Sequence, residues 1–81
     1  MKFEVGQIIQ HLCKFPDEPE EELDRHLILS VNDKWLKIHC LFTYYDDDEG
    51  PHRVGENGQI LISSMDSEED TPNNFYWRII S

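Results

Sequence analysis

Basic residues are scarce in this chain. Seven Lys and Arg stand against seventeen acids, and the formal net charge is −10 over 81 residues. Unaided binding to nucleic acid or to an anionic membrane draws its affinity from Lys and Arg that neutralise phosphates, so that charge argues against both. Long apolar runs are also lacking: none can span a bilayer. The opening "MKFEVGQIIQHLC" has no sustained apolar segment of the secretory-leader kind. The expected location is therefore the cytoplasm, or the host cytoplasm if the chain is phage-encoded. Cysteine is limited to Cys13 and Cys40. They read as buried reduced thiols, with a disulfide between them as the alternative. No G-x-S-x-G, phosphate-cradling Gly-rich loop or C-x-x-C is present, so neither an enzyme nor a cofactor is expected.

What remains is a set of short apolar runs separated by turn-rich, acidic connections, the pattern of a small all-β domain. One domain over 1–81 is expected. "EVGQIIQHLC" reads as a first strand, with Gly6 as a bulge or a close packing point. "HLILSVN" is a second strand, with Leu27, Leu29 and Val31 on one face. "WLKIHCLFTYY" is a third, with Leu36, Ile38, Cys40 and Phe42 on one face, and "NDK" makes the tight turn between them. "QILISS" and "FYWRII" supply the fourth and fifth strands; Gly50-Pro51 and Asn57-Gly58 mark turns, and Val54 a short irregular strand. In the last strand Phe75 and Trp77 are expected in the core, with Tyr76 and Ile80 covering a loop or edge. Pro19 and the acids after it suit either one helical turn near 19–25 or an irregular loop. Five short strands must curl to enclose one core, which predicts a five-stranded antiparallel SH3-like or OB-like barrel or roll. A sheet packed by one short helix is the alternative.

The carboxylates are sorted by location. Fourteen of seventeen fall in three clusters, Asp17 to Asp24, Asp46 to Glu49 and Asp66 to Asp70. Two readings fit. The acids keep a small β protein soluble and its strand edges apart. Alternatively they form a patch for a basic protein surface, imitating a row of phosphates and blocking a nucleic-acid-binding protein. On the second reading the contact charges are Asp17, Glu18, Glu20, Glu21, Glu22, Asp46, Asp47, Asp48 and Glu49, and an exposed Trp35 or Tyr45 serves as the aromatic anchor. A third reading is a structural or adaptor module that works through apolar strand edges and aromatics, as a monomer or a homodimer. No metal is expected. "DDDEG" matches only a fragment of a calcium loop. His39 and Cys40, as strand neighbours, point to opposite faces and cannot both join His11 and Cys13 around zinc.

"FEVGQII", then "FPDEP", then "DRHLILSV" resembles the opening of the MazF/Kid-type ribonuclease toxins over residues 3–31. In that family an apolar strand follows a glycine, a loop comes next, and an arginine precedes the second strand. The resemblance implies an SH3-like barrel and would make Arg25 the catalytic residue of an RNA-cleaving site. His26 stands where the family has proline, and a charge of −10 opposes a grip on RNA. In general style the chain also resembles small acidic phage accessory proteins that inhibit host enzymes.

Overall fold

The computed structural model describes residues 2–44, 53–65 and 74–81. It contains β1 (Ile8–Cys13), β2 (Glu21–Val31), β3 (Trp35–Thr43), β4 (Asn57–Leu61) and β5 (Phe75–Ile79). All five join one sheet in the order β4-β3-β2-β1-β5, and every neighbouring pair is antiparallel. The chain is therefore mainly β, as its short runs predict. Among the described residues no ladder connects β4 to β5, so the sheet is an open roll. The only helical element among them is a three-residue 3-10 turn, Ile62–Ser64.

Each strand contributes to one core. Ile9, Ile28, Leu36, Ile38, Ile60 and Trp77 are buried together, with Phe3, Ile62, Met65 and Ile79 packed against them. Side chains from five strands meet only because the sheet curls around one face. Burying each contributes roughly 1.5–3 kcal/mol relative to leaving it in water.

The expected β2–β3 hairpin is present, but its turn uses a different device. Asn32 does not adopt positive φ; its side-chain oxygen accepts from the backbone N–H groups of Lys34 (2.9 Å) and Trp35 (2.7 Å). Three further expectations are corrected. Gly6 lies ahead of β1 in a turn at φ 91°, with open space where a Cβ would sit, so its role is conformational and not close packing. Asn57 and Gly58 are the first residues of β4, opposite His39 and Ile38. The turn before them is Arg53–Glu56, with Gly55 at φ 85°, and Val54 belongs to that turn.

The largest correction concerns β2. It begins at Glu21, where a helical turn or loop was expected, because Cys13 and Leu12 of β1 pair with Glu21 and Glu22. Its inward face is Asp24, His26 and Ile28, while Leu29 faces solvent and Val31, opposite buried Leu36, is exposed at the strand end. The partners decide this phase: His26 stands between Ile9 and Cys40, and Ile28 opposite Ile38. A shift of one residue would turn that whole set outward. β2 carries register shifts against both neighbours, and Leu29 is the extra residue between Ile28 and Ser30. Phe42 lies on the exposed side for the same reason, next to the shift at Arg25 and His26.

In β5 Trp77 faces the core as expected, with Ile79 packed beside it. Tyr76 is buried too, opposite Leu12 on the other face, and Phe75 at the strand end is exposed. Both cysteines are buried and unbonded. Cys40 lies level with Ile9 through His26, and Cys13 is four residues further along β1. That offset is about 13 Å along the strand, beyond the roughly 7 Å Cα limit for a disulfide.

Candidate functional site

Strand direction sorts the charged segments. β1 runs into the hairpin connection 14–20, and β2 runs back from it. Asp24 of β2 faces Thr43 at the end of β3, and the Tyr44 N–H donates to the Leu23 carbonyl at 2.7 Å. Lys14 N–H donates to the Asn74 carbonyl (2.8 Å), just before β5. The hairpin tip, the point where the chain leaves toward Asp46, and the entry to β5 thus share one end of the sheet. Lys34 and Trp35 sit at the opposite end, in and after the β2–β3 turn.

The tip is a tight turn. Glu18 N–H donates to the Phe15 carbonyl at 3.1 Å, with Pro16 and Asp17 between them and Asp17 at φ 67°. Pro at the second position and positive φ at the third are the requirements of a type II turn. Glycine is the usual third residue; Asp is tolerated there because its short polar side chain bonds locally. Asp17, Glu18 and Glu21 are exposed.

Glu20 and Glu22 behave differently. Glu22 holds Arg25 at two of its three guanidinium nitrogens, Nε at 2.8 Å and Nη2 at 2.5 Å, and accepts from Gln10 Nε2 of β1 at 2.5 Å. Arg25 lies over Phe42 of β3, 5.6 Å from the ring centre. Glu20 reaches across β1 to β5. Arg78 donates to it through Nη1 (3.1 Å) and Nη2 (3.0 Å), and Tyr76 donates its hydroxyl. Arg78 in turn lies over Tyr76, at 5.8 Å. These two carboxylates are fold clips, so two of the five expected contact charges in this cluster are spent inside the molecule. Arg25, which the resemblance to ribonuclease toxins singles out, is the partner of Glu22.

The Arg25 hydrogen bonds, ahead of Gln10's, hold the Glu22 carboxyl below its ordinary range despite partial burial, and Glu22 raises Arg25 in turn. A depressed carboxyl binds fewer protons folded than unfolded, so its stabilisation is complete above the unfolded value near 4.3 and is lost as pH falls through the folded one. We expect Glu22→Gln to remove about 0.5–1 kcal/mol at pH 7, the range of a half-exposed pair, and to flatten the acid limb of the stability curve. Urea midpoints at pH 7 and pH 3 check this; an equal drop at both would show that Glu22 does not titrate as part of the pair.

An aromatic row runs inward from the tip. Phe15 and Phe75 meet edge to face with centres 5.9 Å apart; both are exposed, at 39% and 43%. Phe75 lies 6.2 Å from His11, His11 stacks on Trp77 at 4.3 Å, and Trp77 lies 5.9 Å from His26 in the core. His11 Nδ1 is 3.6 Å from Oδ2 of buried Asp24. The Cys40 thiol is pushed up by burial and then by Asp24, and the Cys13 thiol by burial, Glu21 and Glu18. Neither is activated as a nucleophile.

Of the expected anchors, Trp35 lies at the wrong end for the acids, and Tyr45 with Asp46, Asp47, Asp48 and Glu49 falls outside the described residues. Phe75 was expected in the core and Phe15 was not singled out in the sequence; a phenylalanine directly before "PDE" is the one signal that pointed to the tip. Among the described residues no three His, Cys, Asp or Glu side chains converge on a metal position, and no helix is long and apolar enough to cross a membrane. Comparison with family models, curated proteins and solved structures gives no match.

Proposed function

We propose that this chain is a non-enzymatic acidic protein-binding domain whose hairpin end docks on a basic surface, where it blocks a nucleic-acid-binding protein by standing in for phosphates. The observation that carries this reading is the sorting of charge along the sheet. Asp17, Glu18 and Glu21 lie, with Lys14, at the end from which the chain leaves toward Asp46 to Glu49, while the β2–β3 turn at the other end carries Asp33 and Lys34 side by side, which cancel. Such a concentration of negative charge at one end steers a basic partner there and keeps the encounter salt-dependent.

The test separates contact acids from clip acids. Asp17, Glu18, Glu21 and Asp46 to Glu49 are changed to Asn or Gln, while Glu20 and Glu22 are kept. Wild-type protein on a resin should retain a nucleic-acid-binding protein from host lysate, release it at moderate salt, and lose it to added duplex DNA or RNA. The neutralised variant should retain about a hundredfold less, as several charge pairs at about 0.2–1 kcal/mol each require. Capture that survives neutralisation or high salt would overturn the reading.

A second reading has its own observation. Leu29, Val31 and Trp35 are each exposed near the β2–β3 hairpin. Beside them lies an open depression of about 310 Å³, lined by Leu29, Lys37 and Asn57–Gln59. This surface suits an adaptor that binds through apolar contacts, in which case Trp35→Ala abolishes capture and charge removal does not.

A further inference from the structure

We infer that the hairpin end is anchored on the Phe15–Phe75 pair and selects arginine over lysine on its partner. This deepens the proposed acidic interface and rests on it. Two features of the molecule lead there.

The first is the pair itself. Two phenylalanines exposed at 39% and 43% touch edge to face at the tip, each leaving ring surface in water. They are not loose: Phe75 is paired in β5 with Cys13 and continues through His11 and Trp77 into the core. Rigid aromatic surface backed by core contacts costs little ordering on binding, which is the character of an interface anchor. The same four-residue turn that presents Phe15 carries exposed Asp17 and Glu18.

The second is how this chain treats its own cations. Arg25 lies over Phe42 while Glu22 grips its guanidinium, and Arg78 lies over Tyr76 while Glu20 grips it. Both units combine an aromatic face with a carboxylate around one guanidinium. Phe15 and Phe75 with Asp17 and Glu18 offer that combination to a cation from outside. A planar, weakly hydrated guanidinium can stack on a ring and accept a carboxylate in its plane at once; an ammonium is a compact, strongly hydrated charge and gains less from the ring. The occupant is therefore an arginine-bearing segment of a basic protein.

The probes are two fluorescein-labelled dodecapeptides of equal charge, one alternating Arg and Gly and the other Lys and Gly. Anisotropy at low salt gives affinity, and amide shifts of ¹⁵N-labelled protein map the contact. The Arg peptide should bind about three- to tenfold tighter, the ratio of a modest cation–π term, and should shift Phe15, Asp17, Glu18 and Phe75. Phe15→Leu with Phe75→Leu keeps apolar surface and removes the rings; it should lower Arg-peptide affinity more than Lys-peptide affinity and so erase the preference, with the remaining amide spectrum native. Equal affinity for the two peptides, or a preference that survives the Leu variant, overturns the anchor and leaves the acidic interface standing. Shifts that map to Leu29, Val31 and Trp35 overturn it as well. No binding of either peptide at low salt overturns both readings together.

Discussion

Trp77→Ala is expected to remove a large share of the domain's stability at 25 °C. Trp77 is buried, packs among Ile9, Ile28, Leu36, Ile38 and Ile60, stacks on His11 and touches His26. Truncating a buried aromatic to alanine costs about 3–5 kcal/mol, through lost transfer energy and the cavity left behind. At about 0.05–0.15 kcal/mol per residue, a domain of this size has roughly 4–12 kcal/mol in total. The loss is therefore most of the stability at the lower end of that range. The indole does more than fill volume: β5 is an outer strand whose backbone ladder runs only to β1 among the described residues, and Trp77 is its main tie to the core. Urea denaturation followed by far-ultraviolet circular dichroism measures the effect. Trp77→Phe serves as the control and should retain a cooperative transition with a lower midpoint. A Trp77→Ala protein whose midpoint stays within about 0.5 M of wild type would show that β5 is not integrated as described.

Two neighbouring positions on β2 should give very different results. Ile28→Ala should cost about 2–5 kcal/mol, because Ile28 is fully buried opposite Ile38 and the surrounding strands cannot collapse into the gap. Leu29→Ala, one residue on, should cost less than about 1 kcal/mol, since Leu29 is 40% exposed at a bulge and makes little core contact. The comparison uses similar chemistry at adjacent sites, so propensity nearly cancels and the difference reports the phase of the strand. Ile38→Ala, which removes the other half of the cross-strand pair, should be sub-additive with Ile28→Ala, because both changes open one cavity. Should Leu29→Ala prove the costlier of the two, β2 would be inverted relative to the core.

Those substitutions mark where local pattern stops being informative. The run "RHLILSV" offers two alternations, one all apolar (Leu27, Leu29, Val31) and one mixed (His26, Ile28, Ser30). Counting hydrophobicity favours the first. The fold takes the second as far as Ile28 and extends it back to buried Asp24, because the ladders with Ile9 and Ile38 fix which residues face inward; past the bulge at Leu29 the phase reverses, with Ser30 opposite exposed Lys37 and Val31 opposite buried Leu36. Tyr76 shows the same limit: nothing within "FYWRII" reveals that Leu12 will stand opposite it or that Glu20 will take its hydroxyl.

The candidate site divides along the same line. Its charge and the clustering of acids were legible, since each depends on residues adjacent in the chain; the tight turn at Pro16 and Asp17 was not, and Glu21, Glu22 and Asp24 lie in β2 where a connection was expected. Which acids remain available was not legible either. Glu20 and Glu22 look like Asp17 and Glu18 in the sequence, but their arginines are contributed by β5 and by the far side of a register shift.

The sequence by itself determined the mainly-β class, the strand count, the β2–β3 turn and the excess of carboxylate over base. Short-range chemistry sets all of these: alternation, turn formers and composition. Tertiary structure alone decided the inward face of β2, the burial of Asp24, His26 and Tyr76, the separation of Cys13 from Cys40, and the meeting of Phe15 with Phe75. Each of these follows from strand register, which long-range pairing sets and which a single residue of slip reverses.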